Sequence, residues 1–117
     1  MNQSKLCGML GICKKAGRLI TGSDLVLEAV RSKKNTPLLV LLSADASANT
    51  VKKVRNCCTY YQKCVAVLPI SGEQLAHTVG KTGVISTAAI TEEGLINAVL
   101  KLLTANSDNE EQREENV

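Results

Sequence analysis

The chain has no phenylalanine and no tryptophan, and only two tyrosines, Tyr60 and Tyr61, in 117 residues. Any core must therefore be built from Leu, Val, Ile and Ala, with cysteine as a small apolar filler. No stretch of about 18 apolar residues is present, so no membrane-spanning helix is expected. The start of the chain reads as a polar approach to a helix rather than a secretory leader. Only one histidine, His77, occurs, and the five cysteines (Cys7, Cys13, Cys57, Cys58, Cys64) contain no C-x-x-C pair. A structural zinc site wants paired N/S ligands at short spacing, so no metal is expected. An odd cysteine count without an export signal points to reduced thiols and a cytoplasmic location.

Familiar catalytic patterns are also missing. There is no H-E-x-x-H, G-x-S-x-G or G-x-G-x-x-G. Gly80-Lys81-Thr82 resembles the end of a phosphate-binding loop, but Leu75 stands where the first glycine belongs, and the fragment follows a helix and leads into a strand. The plain reading is a glycine helix stop and a polar turn. Cys57 and Cys58 fall in mid-helix and His77 has no evident acid to orient it, so a thiol enzyme is not expected either. No enzyme activity, cofactor or small-molecule substrate follows from these residues.

What is present is a basic body. The formal net charge is +3, yet residues 104–117 carry five acids against Arg113, while residues 1–63 hold eleven bases and three acids. A basic surface on a small chain suits an anionic partner, and nucleic acid is the commonest.

The pattern of apolar residues predicts alternating helices and strands. Leu6, Met9, Leu10 and Cys13 recur at helical spacing over Ser4–Ala16, with Gly17 as the stop. Arg18–Thr21 reads as extended. A second helix runs from Ser23 to Lys33, and Leu38–Leu42 is a five-residue apolar run typical of a strand buried on both faces. Val51, Val54, Cys58 and Tyr61 mark a third helix whose Lys52, Lys53 and Arg55 face water, and Cys64–Leu68 reads as a second buried strand. Ser71 opens a short helix with Gln74 in capping-box position, and Gly80 stops it. Val84–Ile90 is a further strand, and Thr91 is the expected cap of a last helix carrying Leu95, Ile96, Val99, Leu102 and Leu103. The order predicts an α/β protein: a three-layer α/β/α sandwich with a mixed four-stranded sheet and helices on both faces. Residues 1–103 form the domain, and residues 104–117 read as a disordered acidic tail.

Ala16–Lys34 is the most distinctive stretch. On a helical wheel Asp24, Glu28 and Arg31 share one strip, while Leu25, Val26, Leu27, Ala29 and Val30 occupy the rest, so this helix is expected to be buried around most of its girth. Lys14, Lys15 and Arg18 precede its first turn; Arg31, Lys33 and Lys34 follow it. A helix start flanked by bases suits a phosphate or the acceptor edge of a nucleobase.

Four pieces carry a resemblance: LGICKKAGRLITGSDLVLEAVRS, LLVLLSADASANT, Tyr60–Val67, and EQLAHTVGKTGVISTAAI. Together they cover residues 4–103, and the chain resembles the ribosomal L7Ae/L30e/S12e/Gadd45 superfamily, most closely its small bacterial L7Ae-like members. The resemblance implies the same three-layer sandwich and RNA as partner. Many members bind kink-turns, sharp RNA bends built on sheared G·A pairs. They use the first turn of the second helix on the guanine edges and the loop before the last strand over the flipped-out nucleotide. Carried over by position, the first group falls on Gly22, Ser23, Asp24, Leu25 and Glu28, and the second on Lys81, Thr82, Gly83, Val84 and Ile85. Lys14, Lys15, Arg18 and Arg31 are the expected phosphate contacts.

The chain also departs from the family pattern. The best-known archaeal and eukaryotic binders carry Asn or Lys, then Glu or Gln, then Lys three residues on, where this chain has Asp24, Leu25 and Glu28. Lys81 and Gly83 replace residues that are usually apolar. The expectation is a cytoplasmic, monomeric, ribosome-associated RNA-binding protein. The rival is a protein-interaction module on the same fold.

Overall fold

The computed structural model describes residues 3–32 and 37–115, with side chains described through Thr104. Among the described residues, nine elements alternate as the apolar pattern predicts: α1 (Gln3–Lys15), β1 (Leu19–Thr21), α2 (Ser23–Arg31), β2 (Leu39–Leu42), α3 (Ala48–Tyr60), β3 (Cys64–Val67), α4 (Gly72–Thr78), β4 (Thr87–Ile90) and α5 (Glu93–Glu115). The sheet order is β1-β4-β2-β3. β2 and β3 run parallel around the α3 crossover, and β4 lies antiparallel to both β1 and β2. The sheet is mixed and four-stranded, as expected.

Strand alternation divides the core in two. Leu39, Leu41, Ala88 and Ile90 join Leu6, Leu10, Cys13, Leu75, Val79 and Val99, so α1, α4 and α5 cover one face. Val40, Leu42 and Ala89 join Val26, Leu27, Val30, Val54 and Cys58, so α2 and α3 cover the other. Successive strand residues point to opposite faces, and all four residues of β2 are buried. This is why Leu39–Leu42 has no polar alternation. Truncating Leu41, fully buried in the central strand, to alanine would cost about 2–5 kcal/mol. Neither tyrosine enters either core cluster.

Several local expectations change. Cys64–Leu68 is not a strand buried on both faces: β3 is an edge strand with Cys64 and Val67 exposed, and Leu68 lies beyond its end. An edge strand has one open side and a shallower cover, which short apolar composition does not reveal. The last strand begins at Thr87 rather than Val84, so Val84 and Ile85 belong to the preceding loop. Thr91 does not cap α5. Its hydroxyl donates to the Arg18 carbonyl at 3.3 Å, and Glu92 caps instead, accepting from Gly94 N–H at 3.0 Å and Leu95 N–H at 2.8 Å. Ser71 does cap α4, accepting from Gln74 N–H at 3.1 Å, and Gly17 and Gly80 have the positive φ of helix stops (71° and 76°).

The helical backbone of α5 reaches Glu115 and so runs through most of the stretch expected to be an irregular tail. Extending a helix that is already docked adds one hydrogen bond per residue without a new nucleus, so it needs no apolar stripe. Lys33 and Lys34, expected at the end of the second helix, lie outside the described residues; α2 ends at Arg31.

Candidate nucleic-acid interface

One end of the sheet gathers the C-termini of β1, β2 and β3 and the start of β4, because Thr21 pairs with Ala88 and Leu42 with both Thr87 and Val67. Helices α2, α3 and α4 all start there. Their loops are tied to one another. Gly22 N–H donates to the Thr87 carbonyl at 2.9 Å, and Ser43 N–H to the Ser86 carbonyl at 2.9 Å. The Asp45 carboxylate accepts Gly72 N–H at 2.8 Å, and Ile85 N–H donates to the Gly72 carbonyl at 2.9 Å. Lys81 Nζ donates to Thr21 Oγ1 at 2.8 Å, joining the 81–85 loop to the end of β1. The two residue groups that the sequence assigned separately, Gly22–Leu25 and Lys81–Ile85, therefore form one surface.

Gly22 sits at φ 100°, ψ 135° as the N-cap of α2. That backbone is open to glycine and strained for other residues. A glycine cap offers no side-chain acceptor, and α2 has no side-chain cap hydrogen bond. Ser47 caps α3, Ser71 caps α4 and Glu92 caps α5. The start of α2 thus presents N–H groups without a side-chain acceptor. The Ser23 hydroxyl is engaged, donating to Thr87 Oγ1 at 3.1 Å. The backbone, rather than this hydroxyl, supplies the open donors.

Asp24, Leu25 and Glu28 are exposed. The expectation that α2 is buried around most of its girth fails at Leu25, which is 59% exposed; only Val26, Leu27 and Val30 are buried. Two covering elements would be needed to hide both apolar flanks, and among the described residues α2 packs mainly on α3, β1 and β4. Leu25 lines an open recess of about 430 Å³ with Ile20, Ala29, Leu38 and Lys63. Along the other side of α2, Asp24, Glu28 and Arg31 share a groove with Lys53 of α3.

In the second loop, Lys81, Thr82 and Gly83 are exposed and line a cleft with Ser71, Gln74 and His77 of α4. Val84 is 70% exposed, whereas Ile85 is buried in the core and anchors the loop from below. Gly80-Lys81-Thr82 closes α4, with Lys81 N–H donating to the Ala76 carbonyl at 2.8 Å.

Lys14, Lys15 and Arg18 are exposed but do not adjoin the α2 start. They lie where α1 turns into β1, at the opposite end of that strand; four steps at strand spacing put the Arg18 backbone about 13 Å from that of Gly22. Arg31 likewise lies at the far end of α2. An extended strand separates its two ends by its full length, so these neighbours in sequence are held apart in space.

Sequence reasoning missed Thr87, Gly72, Asp45 and Thr21, which hold the two loops together. Each partnership spans tens of residues, and no local pattern signals it. Asp45 has its carboxyl held below the ordinary range chiefly by the Gly72 N–H. Burial pushes the Cys58 thiol up to about 11 and raises that of Cys13, so both remain protonated and poor nucleophiles. Among the described residues, no helix is long and apolar enough to cross a membrane.

Comparison with known proteins agrees with this architecture. A Bacillus subtilis protein named RNA-binding protein YlxQ is 35% identical over 95 residues, 81% of this chain and 91% of that protein. Its Enterococcus faecium namesake is 38% identical over 61 residues, covering 52% of this chain and 57% of the relative. Among solved structures, a Bacillus halodurans protein of unknown function superposes with a TM-score of 0.75 at 30% identity, covering 86% of this chain and 97% of that one. The Giardia lamblia 15.5kD RNA binding protein shares the fold at a TM-score of 0.69 and 17% identity, covering 88% of this chain and 85% of that one. The sequence profile of one family matches residues 4–100, and with it the chain belongs to the ribosomal protein L7Ae/L30e/S12e/Gadd45 family.

Proposed function

We propose that this protein is a non-enzymatic, cytoplasmic RNA-binding protein, ribosome-associated and monomeric, that grips a kink-turn or similar internal-loop RNA. Its grip is the start of α2 together with the 81–85 loop. The observation that carries the reading is the uncapped α2 N-terminus behind Gly22, beside three helices that are capped by side chains. Guanine shows only acceptors, O6 and N7, on its major-groove edge. Backbone N–H groups without a side-chain acceptor match that edge, and Leu25 need not hydrogen-bond. Val84, exposed on a loop pinned by Lys81 and Ile85, offers an apolar cover for an unstacked base. The RNA-binding names of the Bacillus and Enterococcus relatives support the partner class.

Titration into a labelled kink-turn RNA at two salt concentrations tests this. The control RNA has its G·A pairs changed to Watson–Crick pairs. Tight binding that is lost in the control is the expected result. Equal, weak and salt-sensitive binding to both would leave a general RNA binder. No binding to either would overturn the proposal and favour a protein partner on the exposed Leu25 recess.

A further inference from the structure

The chain has two aromatic residues, and the fold puts both at the surface, at the end of α3. Tyr60 is 80% exposed and Tyr61 39%. Their rings meet edge to face, with centroids 4.9 Å apart and planes at 75°. An edge-on neighbour fixes a ring's orientation, and at 80% exposure much of the Tyr60 ring is left to solvent. The helix that ends in Tyr60 contains no acid, and Lys52, Lys53 and Arg55 are exposed on it. At 100° per residue, Lys52, Asn56 and Tyr60 form one row; Lys53 lies within about 20° of Tyr60 around the axis, and Arg55 lies beyond Lys52 on the other edge of the exposed face. Arg55 and Lys52 lie about 7.5 and 12 Å from Tyr60 along the axis. Bases in a row ending on an open aromatic ring match a single-stranded nucleic acid, which offers phosphates along its backbone and a π-face at every base.

We propose that the outer face of α3 is a second RNA surface, which stacks an unpaired base on Tyr60 and holds neighbouring phosphates with Lys52, Lys53 and Arg55. The proposal rests on RNA being the partner of this protein, but on none of the residues assigned to the α2 site. The two surfaces are neighbours. α3 packs beside α2 on one face of the sheet, and both helices start at the same end. Among the described residues, acids stand near both ends of this face: Glu93 lines a cleft with Gln62, Lys63 and Cys64 just beyond Tyr61. Asp24 and Glu28 share the groove with Lys53, and the Asp45 carboxylate is turned to Gly72.

The absence of tryptophan makes the test direct. In a Tyr61→Phe protein, Tyr60 is the sole fluorophore of its class. A twelve-nucleotide oligoadenylate should quench its emission saturably. Tyr60→Ala should weaken oligoadenylate binding at least about fivefold, while Tyr60→Phe keeps most of it. Lys52→Gln with Arg55→Gln should lower the slope of log affinity against log salt by about 1.4. Circular dichroism checks that each variant folds, as expected for exposed positions. Oligoadenylate binding with no quenching and no response to Tyr60→Ala would overturn the proposal. The kink-turn and its control, measured on the same variants, separate the two readings. Kink-turn discrimination with an inert α3 face leaves only the α2 reading. Tyr60-dependent binding without that discrimination leaves only this one. Failure of every RNA to bind ends both.

Discussion

The Gly72 carbonyl accepts the Ile85 N–H at 2.9 Å, and a methyl group on Gly72 would stand 3.0 Å from the Ile85 carbonyl oxygen and 2.5 Å from Val84 Cγ1. Helix α4 therefore begins directly under the loop that faces the α2 start. Only a residue without a side chain lets the two backbones close to this distance.

Gly72→Ala should lift the 81–85 loop. The exposed Val84 side chain can turn away from the new Cβ, but the Ile85 carbonyl oxygen is backbone and yields only if the loop shifts, so destabilisation of about 1–3 kcal/mol is expected. Kink-turn affinity should fall with it, and the difference between kink-turn and control RNA should narrow. Calorimetry and the same two-RNA titration measure both. Unchanged discrimination would show that the loop position is irrelevant to recognition.

Glu28 places a carboxylate in the groove that also holds Arg31 and Lys53. If RNA phosphates pass this edge of α2, Glu28→Lys should tighten binding and steepen the salt slope by about 0.7–0.9, one phosphate's worth. Affinity that is indifferent or weaker would count against docking along α2.

Lys14, Lys15 and Arg18 stand at the far end of β1 from Gly22. Replacing all three by alanine should therefore weaken kink-turn and control RNA by the same factor, with the salt slope reduced by about 2. A slope that does not move would remove them from the interface. A loss confined to the kink-turn would mean that they act at the bent site itself.

Two carboxylates tie loops to helix starts. Asp45 is held below its ordinary range chiefly by the Gly72 N–H, and Glu92 chiefly by the Leu95 N–H and then that of Gly94. Each binds its proton less readily folded than unfolded. Their contributions are complete above the ordinary carboxylate range, near pH 4, and vanish as pH falls through the lower folded values. Urea midpoints measured between pH 2 and pH 6, roughly the span over which carboxylates titrate, should fall less steeply for Asp45→Asn and Glu92→Gln than for the native chain. Parallel curves would contradict this linkage.

Much of the candidate site was legible residue by residue. Gly22 announced a special backbone, and the family resemblance named the 81–85 loop as a second RNA contact. The charge row of α3 was equally plain in Lys52, Lys53 and Arg55. The exposure of Leu25 was not, because a wheel assigns apolar flanks to the core without counting how many elements exist to cover them. The cap of α5 was misread by one residue, since Thr91 and Glu92 are both good caps and only the pairing of β1 with β4 gives Thr91 another partner, the Arg18 carbonyl.

The sequence by itself determined the alternation of elements, the two-faced burial of Leu39–Leu42, the aliphatic core and the helix stops at Gly17 and Gly80. These follow from apolar period and backbone preference, which act over a few residues. Tertiary structure alone decided that Cys64–Val67 is an edge, that Lys14, Lys15 and Arg18 lie a strand's length from Gly22, and that Thr21, Asp45, Gly72 and Thr87 bind the two loops into one surface. Those outcomes depend on strand order and on hydrogen bonds between residues far apart in the chain. Both are set by which elements can pack together, and no local window of sequence contains that information.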